Sequence, residues 1–174
     1  MKFLTLLLTI LIGTFTMTAT AEEYLNIKLK DGTVKIQLRP DLAPNHVARI
    51  KELANEGFYD GIVFHRVIDG FMAQTGDPTG TGTGGSGQNI KAEFNDEPHV
   101  RGSVSMARAA SPDSADSQFF IVFERAPHLD GRYTLWGQVV EGMEYVDNIK
   151  KGDSFNNGLV TDPDKMIEVT VTSE

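Results

Sequence analysis

Residues 64–76 read Phe-His-Arg-Val-Ile-Asp-Gly-Phe-Met-Ala-Gln-Thr-Gly. The stretch sets one permanent cation, Arg66, among Phe64, Phe71 and Met72, with a neutral amide, Gln74, close behind. A guanidinium stays protonated and offers a rigid fork of N–H donors. Between Phe64 and Met72 the one acid is Asp69, and there is no cysteine or hydroxyl nucleophile. A fixed positive charge on an apolar surface suits a substrate that is itself apolar and carries a carbonyl. It suits neither hydrolysis nor metal chemistry.

Strand periodicity says which of these groups can meet. Met72 and Gln74 are two apart and share a face, as do Gln118 and Phe120, while Phe119 and Ile121 point the other way. Two strands thus each place an apolar group beside an amide. They could border one groove, with Phe119 and Ile121 behind it, or Met72 and Phe120 could be plain core. Phe71 faces away from Met72 on a regular strand and joins a groove only if Gly70 bends or bulges the chain. Arg66 itself could be a surface arginine lying over apolar neighbours.

Other candidate chemistries fail on their own requirements. Gly80-x-Gly82-x-x-Gly85 and Gly82-x-Gly84-x-x-Gly87 match a dinucleotide fingerprint, but Pro98 ends the short stretch that follows, where a helix is needed. No Gly-Lys-Ser/Thr follows either, so residues 76–88 read as a flexible or bulged loop. His46, His65, His99 and His128 do not stand at metal-ligand spacing, and the chain has no cysteine. His65 reads as a hydrogen-bonded structural residue on a strand. No Gly-x-Ser-x-Gly elbow occurs.

The elements that must position these residues follow from period and punctuation. Leu25 to Lys30 alternates, Asp31-Gly32 signals a hairpin, and Val34, Ile36 and Leu38 return. From Pro44 the period becomes helical through Val47, Ile50, Leu53 and Ala54, with Gly57 as the stop. Residues 61–74 read as two short strands bent at Asp69-Gly70. Further strands are expected at 102–107, 118–123, 133–140 and 166–171, and a second short helix at Met143, Val146 and Ile149. Strands do not alternate regularly with helices, so a doubly wound parallel sheet is disfavoured. The pattern predicts a mainly β domain, a closed, mostly antiparallel barrel with helices at its ends.

Composition bounds the partners. Lys2, the apolar run Phe3 to Ile12 and Ala19-Thr20-Ala21 read as a secretory leader over residues 1–21, with an uncleaved membrane anchor as the alternative, and the expected domain covers 22–174 and is exported, to the periplasm if the source is bacterial. The apolar run is too short for the roughly 20 residues of a membrane span. Without Lys2, its one charge, the remainder holds 15 basic against 24 acidic residues, a net of −9 from the −8 of the whole chain. That sign argues against nucleic acid and anionic membrane surfaces as partners. An exported domain without cysteine must rely on its core alone.

The motifs, taken in order, resemble those of the cyclophilins, the cyclophilin-type peptidyl-prolyl cis-trans isomerases. They are Phe64-His-Arg-Val-Ile, Gly70-Phe-Met-Ala-Gln, Gly82-Thr-Gly-Gly, Glu93-Phe94, Ser105-Met-Ala, Ser117-Gln-Phe-Phe-Ile, Leu129-Asp-Gly and Gly137-Gln-Val-Val-Glu-Gly-Met, spread over residues 23–172. With the leader, the chain looks like the bacterial exported branch. The resemblance implies a closed eight-stranded antiparallel β-barrel capped by two helices, with its groove on the outer face. It implies isomerisation of X-Pro bonds in polypeptides, no cofactor and no metal, and a monomer assisting the folding of exported clients. Carried over by position, Arg66 is the catalytic residue, and Phe71, Met72, Phe120 and Leu129 form the proline pocket. Gln74 and Gln118 are the groove glutamines, Ala107, Arg108 and Ala109 hold the peptide, and Gly82 borders the groove. Three positions depart from the familiar eukaryotic pattern. Arg108 replaces an asparagine. His128 replaces a tryptophan, so cyclosporin binding is expected to be weak. Tyr133 replaces a groove histidine, which implies altered substrate preference. A non-catalytic proline-peptide module would use a similar groove, and would be marked by loss of the arginine.

Overall fold

The structure is a computed structural model that describes residues 21–174. The expected leader therefore lies outside the described residues, apart from Ala21. β1 (Glu23–Lys28) and β2 (Thr33–Leu38) form the hairpin expected around Asp31-Gly32, closed by the Leu29 N–H donating to the Gly32 carbonyl at 2.8 Å. Their alternation buries Leu25, Ile27, Val34 and Ile36 completely. α1 (Pro44–Asn55) starts on a proline, where the missing N–H costs no helical bond. It buries Val47, Ile50, Leu53 and Ala54, and the chain leaves it through Gly57 at φ +71°. Ala43 offers no side-chain cap. Glu93 supplies one from a distant loop, accepting from the backbone N–H groups of Asn45 and His46.

The rest of the order is β3 (Arg66–Ile68), β4 (Met72–Thr75), β5 (Ser103–Met106), β6 (Phe119–Val122), β7 (Leu135–Glu141), α2 (Met143–Asp147) and β8 (Glu168–Ser173). α1 packs over β7 and β8, and α2 over β2. The eight strands form one antiparallel sheet in the order β3-β4-β6-β5-β7-β2-β1-β8.

The expected closure is not made by strand pairing. No hydrogen-bonded ladder joins β3 to β8 among the described residues. Irregular backbone crosses the gap instead: Gly61 and Phe64 donate to the carbonyls of Met166 and Asp164, Val160 to His65, and Val67 to Gly158. The bridges Val63↔Lys165 and Arg66↔Leu159 are isolated. These segments carry Gly158, Pro163 and left-handed residues at Asn157 and Asp162, which interrupt extended geometry.

β3, β4 and β6 divide their side chains between two clusters. Val67, Ala73, Val104, Phe119 and Ile121 point inward to the main core, where Phe119 lies edge-on between Tyr59 and Trp136. The opposite face carries a smaller cluster of Met72, Phe120, Val122, Ala126 and Leu129, with Ile68, Phe71, Ala107 and Tyr133 packed on it. That second cluster is the floor of the site.

Candidate active site

Strand register builds the site. Arg66 on β3 lies directly opposite Gln74 on β4, and Gln74 lies opposite Phe120 on β6. The three side chains form one cross-strand row on the outer face, with Met72 two residues from Gln74 in line. Gly70, at φ +69°, turns the chain between β3 and β4. The Phe71 N–H donates to the Ile68 carbonyl across that turn, and the Phe71 ring joins Met72 after all. Leu129 comes from a single 3-10 turn, residues 127–129, and Tyr133 from the segment before β7.

The result is a groove of about 510 Å³ lined by Arg66, Phe71, Met72, Gln74, Ala107, Arg108, Phe120, His128, Leu129, Arg132 and Tyr133. Met72, Phe120 and Leu129 are at least 95% buried, so the floor is firm. Phe120 meets Tyr133 edge-on at 5.7 Å and stacks on the buried His99 at 6.5 Å. A second hollow of about 400 Å³ adjoins it, and here lie the expected Gly82, Ala109 and Gln118. Gln74, Ala107 and Arg108 border both hollows. The residues expected from the sequence thus line two adjoining hollows.

The guanidinium of Arg66 is held by neutral oxygens. Nε donates to the backbone carbonyl of Asn157 and Nη2 to its side-chain Oδ1, each at 3.0 Å. Nη1 donates to Gln74 Oε1 at 3.1 Å. Nη1 also donates to Met72 Sδ at 3.9 Å, so of the five N–H donors of an arginine one, on Nη2, is unengaged and one, on Nη1, meets only the thioether. Burial lowers the Arg66 pKa, yet a guanidinium keeps its charge through such a shift. The network runs on: Gln74 Nε2 donates to Gln118 Oε1 at 2.9 Å, and Gln118 Nε2 donates to the carbonyls of Gly82 and Gly84.

Asn157 and His99 escaped the sequence reading. Asn157 lies 91 residues from Arg66, in a loop stapled to β3 by the Val67–Gly158 and Gly152–Val67 backbone bonds. The turn signal Asn157-Gly158 is what the sequence offers there, and Asn157 sits at φ +52°, a conformation that asparagine tolerates. His99 accepts or donates at both ring nitrogens, to Ser105 Oγ at 2.8 Å and Asp130 Oδ1 at 3.1 Å, and burial lowers its pKa.

Two expectations need correction. His65 is buried just before β3 rather than on it, and neither ring nitrogen has a hydrogen-bond partner. Its ring is wedged beneath Gly82, where a Cβ would come within 3.4 Å of Nε2, and burial holds it neutral by lowering its pKa. The Gly-rich loop is not a loose connector. Asp77 accepts from the backbone N–H groups of Thr79, Gly82 and Gly84, and Asp116 from those of Ser86, Gly87 and Gln88. Burial pushes the Asp77 carboxyl up, but the Thr79 hydroxyl and these N–H donors outweigh it and bring the pKa to about 2.

Comparison with known proteins gives one family. The model for cyclophilin type peptidyl-prolyl cis-trans isomerases matches residues 24–171. A probable peptidyl-prolyl cis-trans isomerase of Brucella suis is 52% identical, over 90% of this chain and 86% of its own. Peptidyl-prolyl cis-trans isomerase B of Bacillus subtilis is 51% identical, over 72% and 89%. A cyclophilin-type isomerase of Cryptosporidium parvum, crystallised with the dipeptide Ala-Pro, superposes with a TM-score of 0.79 at 30% identity, covering 87% of this chain and 99% of that one.

The Asp77 cradle makes a prediction about pH. Its pKa falls from 3.8 to about 2 on folding, so its contribution is complete above pH ~4 and is lost as pH drops toward 2. Asp77→Asn should cost on the order of 2 kcal/mol at neutral pH and flatten the acid limb of stability. Urea unfolding of both forms between about pH 2 and 7 checks it.

Proposed function

The chain belongs to the cyclophilin-type peptidyl-prolyl cis-trans isomerases, and from that premise we propose that Arg66 lowers the rotational barrier of a proline seated on Phe120. An X-Pro bond turns slowly because amide resonance stiffens it, with a barrier of roughly 18–20 kcal/mol. No covalent bond has to break. As the bond twists, the prolyl nitrogen regains its lone pair and becomes a hydrogen-bond acceptor. The unengaged N–H on Nη2, with the Nη1 N–H that meets only the Met72 sulfur, is the donor for that nitrogen or the neighbouring carbonyl.

The observation that carries this reading is where the cation stands. Arg66 shares one groove with Phe71, Met72, Phe120 and Leu129, and its own partners carry no charge, being the oxygens of Asn157 and Gln74 and the Met72 sulfur. The apolar floor takes a pyrrolidine ring and excludes water, which strengthens the charged hydrogen bond. Such a bond is worth about 1.5–3 kcal/mol, or roughly 10- to 150-fold in rate. Orientation of the flanking backbone along Gln74, Ala107 and Arg108 supplies the remainder. No cofactor enters this scheme. The substrates are proline-containing polypeptides, in keeping with the Ala-Pro dipeptide present with the Cryptosporidium relative.

Export belongs to the same proposal. Residues 1–21 act as a cleaved leader, and the mature enzyme assists folding in the periplasm. The sequence Ala19-Thr20-Ala21 before Glu22 supports this. So does the Glu22–Glu174 backbone pair, which opens the fold immediately after that point. Sequencing the N-terminus of the protein recovered from a periplasmic fraction should read Glu22-Glu23-Tyr24; a retained Met1 would contradict it.

Arg66→Ala should reduce kcat/KM on an Ala-Pro peptide by about a hundredfold or more, since each ~1.4 kcal/mol is tenfold, with thermal unfolding little changed. Arg66→Lys should also be poor, because a point charge lacks the planar fork. Exchange spectroscopy on the peptide reads both. Asn157→Gly keeps the left-handed backbone and the carbonyl acceptor and deletes only Oδ1. It should lower kcat by about three- to tenfold with KM unchanged, as befits a positioning residue.

A further inference from the structure

The chain contains seven arginines, all within the described residues. Four are neutralised locally. Arg39 pairs with Asp41 at 2.7 Å, Arg49 with Glu52 and Arg101 with Asp147 at 2.6 Å each, and Arg125 with Asp130. The other three are Arg66, Arg108 and Arg132. Among the described residues no carboxylate comes within 4.0 Å of any of them. All three line the groove over Phe120, and no carboxylate lines it. The acid next along the chain from Leu129, Asp130, is turned to Arg125 and His99.

This chain carries a net charge of −8, so acids are plentiful. Every arginine elsewhere has one, and the three that line the groove have none. The charge is also held in place. The Arg108 guanidinium lies 4.8 Å from the centre of the Tyr133 ring and donates to the backbone carbonyls of Arg132, Ala109 and Ala110. Arg132 is exposed, and its side chain makes no hydrogen bond among the described residues. A cluster of like charges beside an apolar floor raises the local concentration of anionic groups and disfavours cationic ones.

We propose that the groove selects prolyl segments flanked by acidic side chains, with Arg108 and Arg132 meeting the flanks while Arg66 serves the proline amide. The inference rests on the reading of Arg66 given above. It concerns only side chains outside the rotating bond. Arg132 is the specificity-determining residue of the pair, because Arg108 is partly committed to backbone carbonyls.

The test uses three capped peptides of identical core, Glu-Ala-Pro-Ala-Glu, Gln-Ala-Pro-Ala-Gln and Lys-Ala-Pro-Ala-Lys, followed by exchange spectroscopy with the full domain. The residue before proline is constant, so uncatalysed rotation is matched. At an ionic strength of about 20 mM, kcat/KM should favour the Glu over the Lys peptide by about tenfold, and at about 0.5 M salt by less than about twofold. Arg132→Glu should remove most of the preference at low salt. Equal turnover of the Glu and Lys peptides at low salt would overturn the inference, as would a preference that neither salt nor Arg132→Glu moves. Arg66→Ala separates the two levels. Full activity in that variant sinks the reading of Arg66 itself; a dead variant together with charge-blind turnover sinks only the selection of acidic flanks.

Discussion

On the proposed mechanism, everything at this site depends on keeping one guanidinium charged, aimed and without a counter-ion beside an apolar floor. A carboxylate would hold Arg66 more firmly, since charge-assisted bidentate pairs are the strong ones. On the proposed mechanism it would also quench the field offered to a twisted amide. The fold resolves this with neutral acceptors. The carbonyl and Oδ1 of Asn157 take one edge of the fork and Gln74 takes part of the other. The cost of partly desolvating the cation is met by these three bonds and not by a salt bridge.

Each acceptor is fixed by a different part of the architecture. Gln74 is placed by strand register and by Gln118, which in turn leans on the carbonyls of Gly82 and Gly84. Those glycines belong to a loop wound about Asp77, itself almost wholly buried. Asn157 is placed by a loop whose Gly158 packs against β3 so closely that a Cβ there would meet Ile68 at 2.5 Å. Two loops thus bear on the arginine, one directly through Asn157 and the other through Gln118 and Gln74. The sheet carries the floor, and the loops carry the aim.

What the chain revealed in advance follows from the range over which its signals act. Period-two alternation separated Phe119 and Ile121 from Phe120 correctly, because facing along a strand is a local property. The hairpin at Asp31-Gly32 and the span of α1 were legible for the same reason. Phe71 stayed open because its place turns on the sign of φ at Gly70, and glycine accepts either sign. Sheet closure was over-read: eight strands with barrel-like patterning do not require that the last pair form a ladder, and irregular backbone bonds join β3 to the β8 side. His65 was assigned partners because buried polar groups generally have them, and here the ring has none. Asn157 meets Arg66 from 91 residues away, and Arg132 is an exposed side chain whose place at the groove depends on the fold, and no local pattern encodes either.

The central claim is that the charge of Arg66, and not merely its bulk, loosens the imide bond. Replacing Arg66 by citrulline, which keeps the planar shape and removes the positive charge, isolates that variable. Exchange rates on a saturating Ala-Pro peptide should fall by at least about thirtyfold while peptide affinity stays within a factor of a few. A citrulline enzyme that turns prolyl bonds at the parent rate would contradict the account.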